Sequence, residues 1–176
     1  LHPEFVLQSG DPVGRGSDAI EWGEFAKVTQ PLRDNHIGYY PARGNHDAGA
    51  LFLQWVPKPI ASGTGNYYAF TQHNSRFIML DSMDDGQYAP DSAQYKWLVS
   101  ELQNAQKSAA NIFVVFHEVP YSVGPHGPTE DAAQNLVPLF VKYHVRAVFN
   151  GHDHLYYRTI RKGIGYFVTG GGGAPL

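Results

Sequence analysis

Apolar residues along this chain fall into short runs and periodic segments, punctuated by glycine, proline and polar clusters. Glu4-Phe5-Val6-Leu7-Gln8 is an apolar run closed by Ser9-Gly10-Asp11-Pro12, which predicts a buried strand ending in a loop that carries an acid. After the Gly14–Ser17 stretch, Ile20, Trp22, Phe25, Val28 and Leu32 predict one helix, capped by Ser17 or Asp18. Ile37–Pro41 reads as the next strand and Leu51–Trp55 as a short helical turn, after which Pro57, Pro59, Gly63 and Gly65 break regular structure. Residues 66–72 and 76–81 predict a hairpin across His73-Asn74-Ser75, with Tyr67, Phe70, Phe77 and Ile78 in the core. Tyr95, Leu98, Val99 and Leu102 predict a helix over 92–105 with Asp91 or Ser92 as its cap. Asn111–Phe116 is a strongly apolar strand ending at His117, and the Pro- and Gly-rich residues 118–130 form a long loop. Asp131–Tyr143 is a helix that Pro138 kinks or delays. Val145–Asn150 is a strand, and residues 155–160 and 165–169 pair as a second hairpin. Strands alternating with helices predict an α/β fold.

Length and composition narrow the class. A chain of 176 residues suits one domain, 1–176, with no linker, repeat or interior boundary. Hydrophobic content of 43% against 16% charged residues describes a globular core rather than a disordered tail. A net charge of −3 leaves no basic footprint for nucleic acid. The lack of cysteine excludes disulfides, thiolate metal sites and a cysteine nucleophile. No apolar run approaches the roughly 18 residues of a membrane span, and Leu1-His2-Pro3 opens no signal peptide. The compartment stays open.

The polar residues that break this pattern cluster at predicted strand ends: Asp11; Asn45, His46 and Asp47; His117; and the pair His152 and His154. Residues i and i+2 of an extended backbone point the same way, so both imidazoles of Gly151-His152-Asp153-His154 can face one point. Open α/β sheets collect ligands at such ends. A carboxylate, an amide oxygen and several imidazoles suit a divalent transition ion such as Mn, Fe, Zn or Ni better than Mg or Ca. Each residue also has an ordinary reading: Asp11 or Asn45 as a turn residue, His117 as a core histidine, His126 as an exposed loop histidine. His36, His73 and His144 match no motif and are expected at the surface. Asp81, ending a strand, is read as structural, and Trp22, Trp55 and Trp97 as core. Gly170–Gly173 is either a flexible tail or a turn pressed on the sheet.

Taken in order, Gly10-Asp11, Gly44-Asn45-His46-Asp47, Val115-Phe116-His117 and Gly151-His152-Asp153-His154 resemble the motif set of the calcineurin-like metallophosphoesterase superfamily. Pro120-Tyr121 after His117, His126, Tyr156, Arg158 and the closing Gly170–Ala174 run resemble its purple acid phosphatase-like branch. The resemblance implies a two-sheet β sandwich flanked by helices. It implies that Asp11 bridges two metals, that Asn45, His117 and His152 complete one site, and that His154 serves the other. Asn45 and His126 would also face the substrate. His46, oriented by Asp47, would stabilise the transition state or protonate the leaving oxygen while a metal-activated hydroxide attacks phosphorus in line. The implied partner is a phosphoester small molecule, and for the parent protein the branch implies a secreted or periplasmic location.

Two departures qualify the match. The branch places an iron-binding tyrosine three residues after the bridging Asp, where this chain has Gly14, so no purple colour is expected. The superfamily also opens with an Asp-x-His strand end, which residues 1–9 lack; His2 has no partner acid. The chain is expected to be a domain cut after its first strand and again after Pro175-Leu176. One metal site would then be well formed and the second weak or empty, with low activity and strand edges open to self-association. The competing readings are a non-catalytic metal- or phosphate-binding module and an α/β domain with incidental histidines.

Overall fold

A computed structural model describes residues 3–55, 62–83 and 88–173. His2, Pro57, Pro59, Pro175 and residues 84–87 lie outside the described residues. Two sheets form. The smaller pairs β1 (Phe5–Gln8) in parallel with β2 (Gly38–Pro41). The larger holds β3 (Ser62–Gly63), β4 (Tyr68–Gln72), β5 (Ser75–Met79), β6 (Asn111–Val115), β7 (Ala147–Asn150), β8 (Tyr156–Arg161) and β9 (Ile164–Thr169), in the order β3-β4-β5-β6-β7-β9-β8. Its centre, β5-β6-β7-β9, is parallel. The α/β sandwich flanked by helices implied by the sequence is the observed architecture.

The alternation of side chains on the central strands explains the layers. Ile78, Leu80, Ile112, Val114, Phe116 and Val148 point to the helical side, where they meet Leu98, Leu102, Leu136 and Phe140. Phe77, Met79, Phe113 and Val115 point to the opposite side and pack under Phe5, Leu7 and Tyr40 of the small sheet. An aromatic row crosses that face: Phe70–Phe77 and Phe77–Phe113 stack at 5.1 Å each, and Phe149–Phe167 at 5.3 Å. Such pairs add about 0.5–1.5 kcal/mol beyond area burial. The Tyr68 hydroxyl donates to the Pro41 carbonyl at 2.8 Å and so ties the two sheets together.

The helices follow their local signals. Asp18 caps α1 (Ala19–Val28) by accepting from the Ile20 N–H. The predicted single helix ends there: Thr29 separates it from α2 (Gln30–Asp34), whose first turn holds Pro31, a residue with no N–H to give the first helix. The helical turn α3 (Ala50–Trp55) buries Phe52 against Trp22. Ser92 caps α4 (Ala93–Ser108) through the Tyr95 N–H. Pro138 does delay the next helix: residues Ala132–Leu136 form a wider π-helical turn before α5 (Val137–Lys142). Trp22 is fully buried, whereas Trp55 and Trp97 are only half-buried. His36, His73 and His144 are exposed, each on a positive-φ turn. The short β3 was not predicted, because two residues carry no periodicity.

Candidate metal centre

The loops leaving β1, β2, β6, β7 and β9 line one cleft of about 490 Å³, which includes Asp11, His46, His117, His152 and His154. Its centre is His117, at the end of β6 and 2% exposed. The Nδ1 of His117 lies 2.8 Å from the Ser9 carbonyl, which only accepts, so Nδ1 carries the proton and Nε2 turns its lone pair inward. Nε2 stands 2.9 Å from Asn45 Oδ1 and 3.1 Å from Asp11 Oδ2. His152 Nδ1 completes the group, 3.2 Å from both Asn45 Oδ1 and His117 Nε2.

These separations test whether an ion fits. Donors held about 2.0–2.2 Å from one metal stand roughly 2.8–3.6 Å apart. The observed 2.9–3.2 Å spacing of one amide oxygen and two imidazole nitrogens meets that requirement. Among the described residues no three His, Cys, Asp or Glu side chains are grouped to hold an ion by themselves, so Asn45 completes the set. Burial, with His117 and His126 close by, lowers the His152 pKa to about 4, which keeps the ring neutral and its lone pair available. Burial pushes the Asp11 carboxyl up, but the His117 ring and the His46 N–H outweigh it and the net shift is down.

The backbone is bent to make this approach. Asp11 (φ 54°) and His152 (φ 66°) both occupy the left-handed region, costly for residues other than glycine. Gly10 precedes Asp11 at φ 105°, and a Cβ there would run into the His117 ring. A Cβ on Gly44 would collide with Asp11 Oδ1. The glycines of the two motifs are therefore needed for the close packing of the loops, Gly44 within the small sheet's edge and Gly10 against the large sheet's.

His46 donates its backbone N–H to Asp11 Oδ1 at 2.9 Å, and its ring Nδ1 lies 2.9 Å from the Gly14 carbonyl. The expectation that Asp47 orients His46 is corrected here. Asp47 is buried behind the loop, where its Oδ1 accepts from the Gly44 N–H at 2.6 Å and its Oδ2 has no hydrogen-bond partner among the described residues. Burial raises its pKa to about 8. The loop folds back through Gly14 to Gly16, so a backbone carbonyl takes the place given to the acid. His126 does reach the site: its ring lies over that of His152, 4.1 Å between centroids. His154 is exposed on the cleft wall that it shares with Asp11. Gly170 packs on residues 153–155 and donates to the Leu155 carbonyl, so the glycine run begins as a turn pressed on the sheet.

Three supporting residues were not singled out from sequence. Arg43 makes a buried two-pronged pair with Asp81, 3.0 Å from Nε and 2.8 Å from Nη2, which ties the Asn45 loop to the end of β5. Asn150 donates to the Phe116 and Glu118 carbonyls and locks the ends of β6 and β7 together. Asp153, fully buried, accepts from the Ser122 hydroxyl and the His126 N–H. The usable signal for Asp153 was its place inside the motif, between His152 and His154.

A family model described as calcineurin-like phosphoesterase matches residues 1–156. The chain belongs to the calcineurin-like phosphoesterase family. Purple acid phosphatase 1 of Ipomoea batatas is 33% identical over 153 residues, 80% of this chain and 32% of that protein. The purple acid phosphatase of Glycine max is 30% identical over 181 residues, 90% of this chain and 38% of that one. The structure of purple acid phosphatase PPD1 from yellow lupin seeds shares the fold, with a TM-score of 0.83 at 20% identity, over 98% of this chain and 38% of that chain. Within the calcineurin-like family the chain thus sides with the purple acid phosphatase branch, as its motifs imply. It spans about a third of the length of these curated relatives.

Proposed function

We propose that this chain carries the active site of a metal-dependent phosphohydrolase acting on phosphomonoesters or phosphodiesters. One observation carries the reading: Asn45 Oδ1, His117 Nε2 and His152 Nδ1 crowd within 3.2 Å of one another, beside the Asp11 carboxylate. Lone pairs gathered so closely call for a cation among them. Membership of a phosphoesterase family supports the same chemistry.

In this reading Asn45, His117 and His152 would hold one ion, and Asp11 and His154 would serve a second beside it. Bound there, Mn, Fe, Zn or Ni ions would acidify water and offset the charge of a phosphoryl group. His46, with its Nδ1–H given to the Gly14 carbonyl, has Nε2 left to meet a bound ester; as an imidazolium it would pass the Nε2 proton to the leaving oxygen and be left as the neutral ring. His126 meets a phosphoryl oxygen from the other side of His152.

The test measures metal content by mass spectrometry and hydrolysis of p-nitrophenyl phosphate and its bis-ester, with His46→Ala alongside. Turnover lost in His46→Ala with metal retained supports the enzyme. A second reading, a non-catalytic metal- or phosphate-binding module, draws on the contrast between one tight donor group and an exposed His154. Metal binding with no turnover of either ester favours it.

A further inference from the structure

We infer that Asp153 is a positioning residue that sets the substrate-facing His126 through a clamp on loop 118–130; this rests on the phosphohydrolase reading. His126 is exposed and lies between Pro125 and Gly127 in a segment with no strand or helix to place it. Its ring nevertheless stands 4.1 Å from His152, tilted by 33°. What fixes it lies in the backbone. The His126 N–H donates to Asp153 Oδ1 at 3.0 Å, and the Ser122 hydroxyl donates to Oδ2. Ser122 Oγ in turn accepts from the Gly124 N–H at 3.0 Å, and the Gly127 N–H closes the turn on the Gly124 carbonyl at 3.1 Å.

Gly124 lies directly over the carboxylate, where a Cβ would overlap all three carboxyl atoms. The loop is thus moulded on Asp153, which is fully buried and neighbours His152 in sequence. The left-handed turn at His152 makes this work: His152 faces the donor group, and Asp153 faces the loop. A buried carboxylate that accepts two hydrogen bonds holds them more strongly than a neutral acceptor would. The ligand loop and the substrate loop are therefore placed by one short segment.

Asp153→Val, Asp153→Asn, His126→Ala and the double variant Asp153→Val/His126→Ala test this in two assays. In metal-free protein, amide hydrogen exchange over residues 122–127 should rise about tenfold or more in Asp153→Val. Asp153→Asn should rise less, because its amide oxygen still accepts from His126. In protein reconstituted with Mn²⁺, Asp153→Val and His126→Ala should each weaken binding of inorganic phosphate about tenfold, and the double variant should be no weaker than either. Unchanged exchange in Asp153→Val overturns the clamp, and additive losses overturn its action through His126. Absence of phosphate binding by the unaltered protein counts against the phosphohydrolase reading, while exchange still decides the clamp. If Asp153→Val does not fold, Ser122→Ala and Asp153→Asn carry the same comparison.

Discussion

His117 Nε2 lies 2.9 Å from Asn45 Oδ1, although the two residues end strands of different sheets. The contact joins the carboxyl edge of the large sheet to that of the small one, and Asp11 and His152 close around it. Removing a cation from this point leaves lone pairs facing one another. Chelation should therefore lower the melting temperature of metal-loaded protein by about 5–10 °C, the shift expected for a ligand present at 100 times its Kd. Thermal unfolding with and without dipicolinate measures it. An unchanged transition in a sample shown to contain metal would sink the proposed centre.

Gly44→Ala should cost about 2–4 kcal/mol and lose metal, because its Cβ must displace Asp11 Oδ1 and the backbone behind it. Gly23→Ala is the control. It lies inside α1, a Cβ there meets nothing within 4 Å, and the change should stabilise by about 0.5–1 kcal/mol. Urea unfolding of both variants gives the comparison.

The Arg43–Asp81 pair has side chains 8% and 1% exposed. Removing one partner takes this counter-ion from a buried charge, so Arg43→Met or Asp81→Leu alone should destabilise by about 3–5 kcal/mol. The double change Arg43→Met/Asp81→Leu should recover much of that loss. A double variant that unfolds as easily as the sum of the singles would contradict this account.

The metal-free protein should lose stability between pH 6.5 and 8. The Asp47 carboxyl has its folded pKa raised to about 8 from the ordinary 3.8. Its contribution is fully present below pH 3.8 and is lost as pH climbs to 8. His152 acts in the opposite sense: with its pKa lowered from 6.5 to about 4, stability rises over that interval and levels off above pH 6.5. The window above 6.5 therefore isolates Asp47. Melting temperatures in excess chelator should fall across it, and Asp47→Asn, which still accepts from Gly44, should flatten the profile.

The local elements were legible in the chain. Asp18 and Ser92 cap helices as their positions predict, Pro138 delays a helix, and both hairpins form, because capping, ring closure and alternation are properties of neighbouring residues. Asp11, Asn45, His46, His117, His152 and His154 were also identifiable as candidates, since chemistry-bearing side chains at strand ends interrupt an apolar pattern, whereas His126 entered only through the family resemblance. Tertiary structure alone decided their partners. The family resemblance implied Asp47 as the orienter of His46, and the folded loop delivers the Gly14 carbonyl instead. Arg43 found Asp81 across 38 residues, and Asp153 found Ser122 across 31. Such pairings depend on how loops from separate strands stack above two sheets, and backbone carbonyls carry no residue-specific signal at all. Sequence determines which groups stand at the edge of the fold; packing determines which of them touch.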